Sequence, residues 1–187
     1  MPNVIVISGA NGAGKSTLAP FLLRDTFGIV EYVNADTIAQ GLSAFAPEKA
    51  ALEAGRIMLE RLHALAASQK DFAFETTLAS RSYARWLKDL QARGYNFHLV
   101  YLWLNNAELA IERVRERVRL GGHNIPVETI KRRYARGLQN FFSLYQPMAD
   151  SWRVYDVSAL EPQKIAWGDK INGETIIAEN VWQQIRS

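Results

Sequence analysis

The sequence contains no cysteine, which removes disulfides and thiolate-held metals from the start. Histidine is almost as scarce. His63, His98 and His123 are the whole supply, and no two stand at metal-ligand spacing, so a metal site built on His123 is not expected. Apolar residues make up 48% of the chain, yet no run approaches the ~18 residues of a membrane-spanning helix. An apolar strand begins within the first few residues and leaves no room for a signal peptide, so a cytoplasmic protein is expected. Internal repeats, low-complexity stretches and linkers are also missing. The 187 residues therefore read as a single domain over 1–187, long enough to bury about 70% of its unfolded surface.

Against these absences stands one dense motif. Gly9-Ala10-Asn11-Gly12-Ala13-Gly14-Lys15-Ser16 matches the phosphate-binding P-loop pattern G-x-x-x-x-G-K-S/T at every fixed position. It follows the β-branched run Val4-Ile5-Val6-Ile7 and precedes Leu18, Phe21 and Leu22 at helical spacing, which gives the strand-loop-helix order the mechanism needs. Glycines let backbone N–H groups turn toward phosphate oxygens, and the next helix aims its positive end at the same anion. Lys15 is expected to reach the β/γ-phosphates, and Ser16, followed by Thr17, to ligate Mg²⁺. The chain has no Asn-Lys-x-Asp motif for reading guanine, so ATP is expected rather than GTP.

The rest of the chain alternates strands with helices. Strands are expected at 29–33, 71–74, 97–104 and 152–157, and helices at 47–68, 81–93, 106–120 and 126–146, with a short helix at the C-terminus. That alternation predicts an α/β fold: a five-stranded parallel sheet covered on both faces, in the manner of a P-loop NTPase. Ligands in such sheets bind at the carboxyl ends of the strands.

That rule selects the remaining candidates. Asp36 follows strand two, where a carboxylate can take the proton of an attacking hydroxyl; the alternative is that it caps a short helix from Thr37 to Gln40. A dinucleotide-binding role for Asp36 is rejected, because the lysine of this loop does not suit the close pyrophosphate approach of G-x-G-x-x-G. Glu75, Thr76 and Thr77 end strand three. Glu75 suits a metal's water shell or a substrate hydroxyl, and the threonines suit a substrate phosphate, whereas pairing of Glu75 with Arg81 is the structural alternative. Between 111 and 136 eight basic side chains face three acidic ones. Ile111, Val114 and Val118 form an apolar stripe, with Arg113 and Arg117 along one flank and Arg115 and Arg119 along the other. An Arg-rich helical lid over about 106–146, hinged at Gly121-Gly122, would clamp a triphosphate and neutralise charge on the transferring group. A nucleic-acid patch is the other reading of this charge, and no aromatic stacking platform supports it.

Taken together, the P-loop, Asn34-Ala35-Asp36, Phe74-Glu75-Thr76-Thr77 and the lid resemble the zeta toxin family of P-loop kinases, over most of the chain. The resemblance implies a fold similar to shikimate and nucleotide kinases, ATP and Mg²⁺ as cofactors, and a nucleotide sugar such as UDP-N-acetylglucosamine as phosphate acceptor. It also implies an antitoxin protein as a partner. By position, Lys15 and Ser16 match the ATP/Mg²⁺ loop and Asp36 the catalytic base. Glu75, Thr76 and Thr77, with Arg81 nearby, match the acceptor segment, and Arg113 the phosphate-clamping lid arginine. A second lid arginine has no clean match; His123 stands in its place, with Arg117, Arg119 and Arg133 close by. The rival expectations are a kinase acting on another small acceptor or a polynucleotide end, and an ATP-binding regulatory module that transfers nothing.

Overall fold

The computed structural model describes residues 1–23 and 28–186. Five parallel strands form the centre of the sheet: β1 (Asn3–Gly9), β2 (Tyr32–Val33), β3 (Phe72–Thr76), β4 (Asn96–Trp103) and β5 (Ser151–Asp156). In space they run β2-β3-β1-β4-β5. β1 is central, which explains its unbroken apolar sequence: both faces are covered, so both sets of alternating side chains must be buried. Val4 and Val6 point into one core, with Phe72, Phe74, Phe97 and Leu99. Ile5 and Ile7 point into the other, with Ala73, Val100 and Leu102.

Helices cover each face. α3 (Ala51–Ala67) and α4 (Ser82–Ala92) pack on the first core through Met58, Leu62, Leu87 and Leu90. α1 (Lys15–Pro20), α5 (Ala107–Arg119) and α6 (Val127–Asn140) bring Ala19, Ile111, Val114 and Ile130 to the second. α2 (Ala35–Leu42) follows β2 directly, and α6 runs on through a π-helical turn, Phe141–Tyr145, into α7 (Gln146–Met148).

Three expectations are corrected. The sheet has seven strands, not five: β6 (Gln163–Asp169) and β7 (Gly173–Ile176) extend it past β5 in antiparallel fashion. The Asp169 carboxylate fixes their turn by accepting from the backbone N–H groups of Ile171 (2.8 Å) and Asn172 (2.7 Å). Second, the strand expected at 29–33 pairs only at Tyr32–Val33, opposite Ala73 and Phe74, because its partner β3 begins at Phe72. Third, the helix expected from residue 47 opens as a 3₁₀ turn, Pro47–Ala50, before α3 begins.

The C-terminal helix α8 (Glu179–Arg186) closes the first core. Its Trp182 stacks flat on Trp152 of β5, with ring centroids 5.6 Å apart and planes 6° from parallel. Gly168 of β6 makes room for this pair: it sits opposite Trp152, and a Cβ there would lie 2.8 Å from the indole ring.

Candidate active site

The loop Gly9–Ser16 leaves β1 and enters α1 as expected. Gly14 stands in the left-handed region at the N-cap of α1 (φ 76°). Gly12 is left-handed too, and a Cβ there would lie 2.8 Å from the Ala110 carbonyl of α5, so a larger residue would push the loop off that helix. Ala10 and Ala13 are buried behind the loop. Lys15 folds back, its Nζ donating to the carbonyls of Gly9 (3.0 Å) and Ala10 (2.9 Å). Burial holds the Lys15 amine below its usual value, against the pull of Glu75 and Asp36. An ammonium desolvated in this way is offset by an incoming phosphate.

Ser16 begins a polar network at the ends of β2 and β3. Its Oγ donates to Glu75 Oε1 (2.9 Å). The Tyr32 hydroxyl donates to Glu75 Oε2 (2.8 Å), and burial together with that carboxylate pushes the hydroxyl's pKa well above the usual tyrosine value. Asn34 Nδ2 donates to Glu75 Oε1 and to Ser16 Oγ. Glu75 thus accepts from three side chains of the site, and no ion pair with Arg81 forms among the described residues. Neither Tyr32 nor Asn34 stood out as a site residue in the sequence, because each meets Glu75 only across the sheet.

The capping question at Asp36 is settled by Asn34. The helix is Ala35–Leu42, one turn longer than the Thr37–Gln40 segment, and its N-cap is Asn34, whose Oδ1 accepts from the N–H of Asp36 (2.7 Å) and Thr37 (3.3 Å). The Asp36 carboxylate is left half-exposed, 3.9 Å from His123 Nε2. Thr76 and Thr77 accept backbone N–H bonds from Leu78 (3.2 Å) and Ala79 (3.5 Å). The turn they open is held hard against α6 and its extension: Asn140 donates to the Leu78 carbonyl (2.7 Å) and Tyr145 to the Ser80 carbonyl (2.6 Å). Leu78 itself is fully buried and left-handed (φ 57°), a strained conformation for a branched side chain that such surroundings must enforce.

These groups face a cavity of about 780 Å³. Lys15, Ser16, Thr17, Asp36, Glu75, Thr76 and Thr77 line it. Arg113 and Arg117 of α5 and Arg132, Arg133 and Arg136 of α6 form a wall of arginines. Arg113 donates to the Ser158 carbonyl (3.0 Å), Arg117 to the His123 carbonyl (3.3 Å) and Arg133 to Asn11 Oδ1 (3.3 Å). Burial lowers the Arg133 guanidinium from its usual value, with Asp36 acting against that shift. The Nε of Arg117 is buried with no hydrogen-bond partner. Two expected residues lie elsewhere. Arg119 is exposed and pairs with Glu116 (3.2 Å); Arg81 lines two smaller cavities instead. Arg132 and Arg136, at i, i+4 on α6, were visible only as part of the general basic surplus.

A nucleoside triphosphate fits this donor set: loop glycines, a half-buried lysine and an unpartnered guanidinium N–H all favour phosphate oxygens. Among the described residues no three His, Cys, Asp or Glu side chains converge to hold a metal. Ser16 and Glu75 instead offer hard oxygens of the kind Mg²⁺ takes when water and phosphate complete its shell. Among the described residues, no helix is long and apolar enough to cross a membrane.

The family described as Zeta toxin matches residues 1–160. An uncharacterized protein of Haemophilus influenzae is 34% identical over 130 residues, covering 70% of this chain and 91% of the relative. Among solved structures, the AvrRxo1-ORF1:AvrRxo1-ORF2 complex with sulphate ions superposes with a TM-score of 0.79 at 15% identity. That match covers all of this chain and 64% of the other, so the chain spans less than two thirds of that relative's length. The same complex has been solved with ATP. The PezAT toxin-antitoxin system of Streptococcus pneumoniae superposes with a TM-score of 0.62 at 18% identity, over 87% of this chain and 72% of the other.

Proposed function

The chain belongs to the zeta toxin family, and on that footing we propose that it is an ATP-dependent kinase. The acceptor in this reading is a sugar hydroxyl on a nucleotide sugar such as UDP-N-acetylglucosamine. The observation that carries it is Asp36: a half-exposed carboxylate relieved of capping by Asn34, lining the same cavity as the P-loop lysine. A protein that only bound ATP would have no need of a general base there.

ATP supplies the phosphoryl group, and Mg²⁺ bound to it spreads the charge of the phosphates. Lys15 and the loop N–H groups hold the β/γ-phosphates; Ser16 would give a bound Mg²⁺ its hydroxyl ligand, and Glu75 would hold the waters of its shell. Asp36 accepts the proton of the sugar hydroxyl at a carboxylate oxygen, while the hydroxyl oxygen bonds to the γ-phosphorus and the bond from that phosphorus to the leaving diphosphate breaks. Arg113, Arg117 and Arg133 neutralise the charge that develops, where electrostatic stabilisation contributes most. Thr76, Thr77 and Arg136 hold the acceptor. Because α5 and α6 are packed on the core through Ile111, Val114 and Ile130, the part of the 106–146 segment that acts as a lid is the connection around Gly121-Gly122, and exclusion of water as it closes strengthens each of these contacts.

Incubation with ATP, Mg²⁺ and UDP-N-acetylglucosamine should give a product heavier by one phosphoryl group, and free N-acetylglucosamine should give little. Lys15→Ala should abolish the transfer. If ATP is consumed while a simple sugar, a nucleoside or a polynucleotide end gains the mass instead, the kinase reading stands and the nucleotide-sugar reading fails. A neutralising partner, as in the PezAT system, belongs to the same proposal. Its sign would be that growth arrest on expression of the wild type, absent with Lys15→Ala, is relieved when the partner is expressed with it.

A further inference from the structure

Asn34 uses both ends of its side-chain amide, and the two ends serve different parts of the site. Oδ1 accepts from the N–H groups of Asp36 (2.7 Å) and Thr37 (3.3 Å), closing the first turn of α2. Nδ2 donates to Ser16 Oγ (3.2 Å) and to Glu75 Oε1. An amide has two donors and two acceptor positions, so all four are engaged here, on a residue that is only 6% exposed. The side chain therefore cannot turn to improve one set of contacts without loosening the other. Capping alone would be served as well by serine, threonine or aspartate. None of those accepts at one end and donates at the other across this distance.

We propose that Asn34 is a positioning residue that couples occupancy of the metal–triphosphate site at Ser16 to the placement of Asp36. The proposal rests on Ser16 being the metal ligand and not on which acceptor is phosphorylated. When a cation draws the Ser16 and Glu75 oxygens toward itself, Nδ2 moves with them, and Oδ1 carries the first turn of α2, including Asp36. Such coupling is reciprocal, so an acceptor held by Asp36 tightens the metal–nucleotide in turn. Tyr32 provides a comparison within the same network. It bonds the other oxygen of Glu75 (2.8 Å) and lies beside Asn34 and Ser16, but among the described residues it makes no hydrogen bond to Ala35–Leu42 of α2, so it steadies the carboxylate without carrying the coupling.

The test uses a non-hydrolysable ATP analogue, with its binding titrated against Mg²⁺ by calorimetry and backbone exchange at Asp36 and Thr37 followed by NMR. Asn34→Ser keeps a capping oxygen and cuts the bridge; Asn34→Thr does the same should the serine variant fail to melt cooperatively. In the wild type, Mg²⁺ with the analogue should slow exchange at those two amides about tenfold, within the usual range of coupling between sites. In Asn34→Ser the amides should stay as protected as in the ligand-free wild type, lose the further slowing, and need about ten times more Mg²⁺ for half-maximal binding. Tyr32→Phe should raise the Mg²⁺ requirement while the slowing persists. A serine variant with wild-type slowing and Mg²⁺ requirement reduces Asn34 to a cap and overturns the proposal. So does loss of the slowing in Tyr32→Phe, which would assign the coupling to Glu75. Wild-type binding indifferent to Mg²⁺ overturns it together with the metal role of Ser16, whereas failure to phosphorylate UDP-N-acetylglucosamine leaves it standing.

Discussion

Replacing Trp182 by alanine tests whether the C-terminal helix is part of the core or merely lies against it. The indole is fully buried, stacked on Trp152 and edge-on to Phe142 with centroids 5.6 Å apart in both cases. The Arg186 guanidinium sits 5.9 Å from its ring. Truncating a buried aromatic of this size costs about 3–5 kcal/mol. One term opposes that loss: the Trp182 Nε1 is buried with no partner, and removing an unsatisfied donor returns roughly 1–3 kcal/mol. A net loss of about 2 kcal/mol lowers the melting temperature of a chain this long by about 4–8 °C. Trp182→Phe keeps most of the stacking and deletes the orphaned N–H, so it should cost under about 2 kcal/mol. Thermal melts and urea titrations of the three proteins decide the matter. An alanine variant that melts within 2 °C of the wild type, on the order of the shift expected from a surface change, would show that α8 does not hold the hairpin to the sheet.

Asp36→Asn should leave ATP affinity near wild type, measured by calorimetry, while phosphoryl transfer falls by about 10²–10⁴, because the amide cannot take the hydroxyl proton; transfer at the normal rate would remove Asp36 from catalysis. Arg113→Ala should lower turnover more than nucleotide binding, whereas Arg115→Ala, on the exposed flank of the same helix, should change neither; steady-state kinetics showing the two alike would contradict the wall described for the cavity. Burial holds the His98 imidazole below its usual value, so the unfolded chain takes up that proton first and stability falls as pH drops below about 6.5. His98→Gln should flatten that slope between about pH 7.5 and 5 in urea titrations, and an unchanged slope would mean other groups carry it.

What could be read from the sequence was whatever its own neighbours determine. The P-loop declares itself because strand, glycines and helix lie within a few residues of one another, and β1 because burial on both faces demands an unbroken apolar run. β6 was not legible: in Gln163–Asp169 only Ile165, Ala166 and Gly168 are buried, which gives neither strict alternation nor a continuous run. Its pairing depends on Trp152 filling the space above Gly168, a fact about two distant residues. The same holds for Asn34. Its position ahead of a helix suggests a cap, and Asp36 competed for that role until the backbone showed which side chain turns back. The arginines divide similarly. Arg113 and Arg117 could be separated from Arg115 and Arg119 by helical phase on α5, but which of the α6 cations face the cavity depends on how the two helices lean together.

The β6–β7 hairpin changes where the sheet stops. Without it the outermost strand would be β5, a six-residue strand carrying the buried Trp152 and Val154 and offering its backbone to any passing chain. With it, one margin is β7, four residues long and exposed over three of them; the other is β2, two residues long. Short margins are poor templates for edge-to-edge pairing between copies. The hairpin thus gives the protein resistance to strand-swapped or fibrillar association at high concentration, a property separate from anything that happens in its cavity.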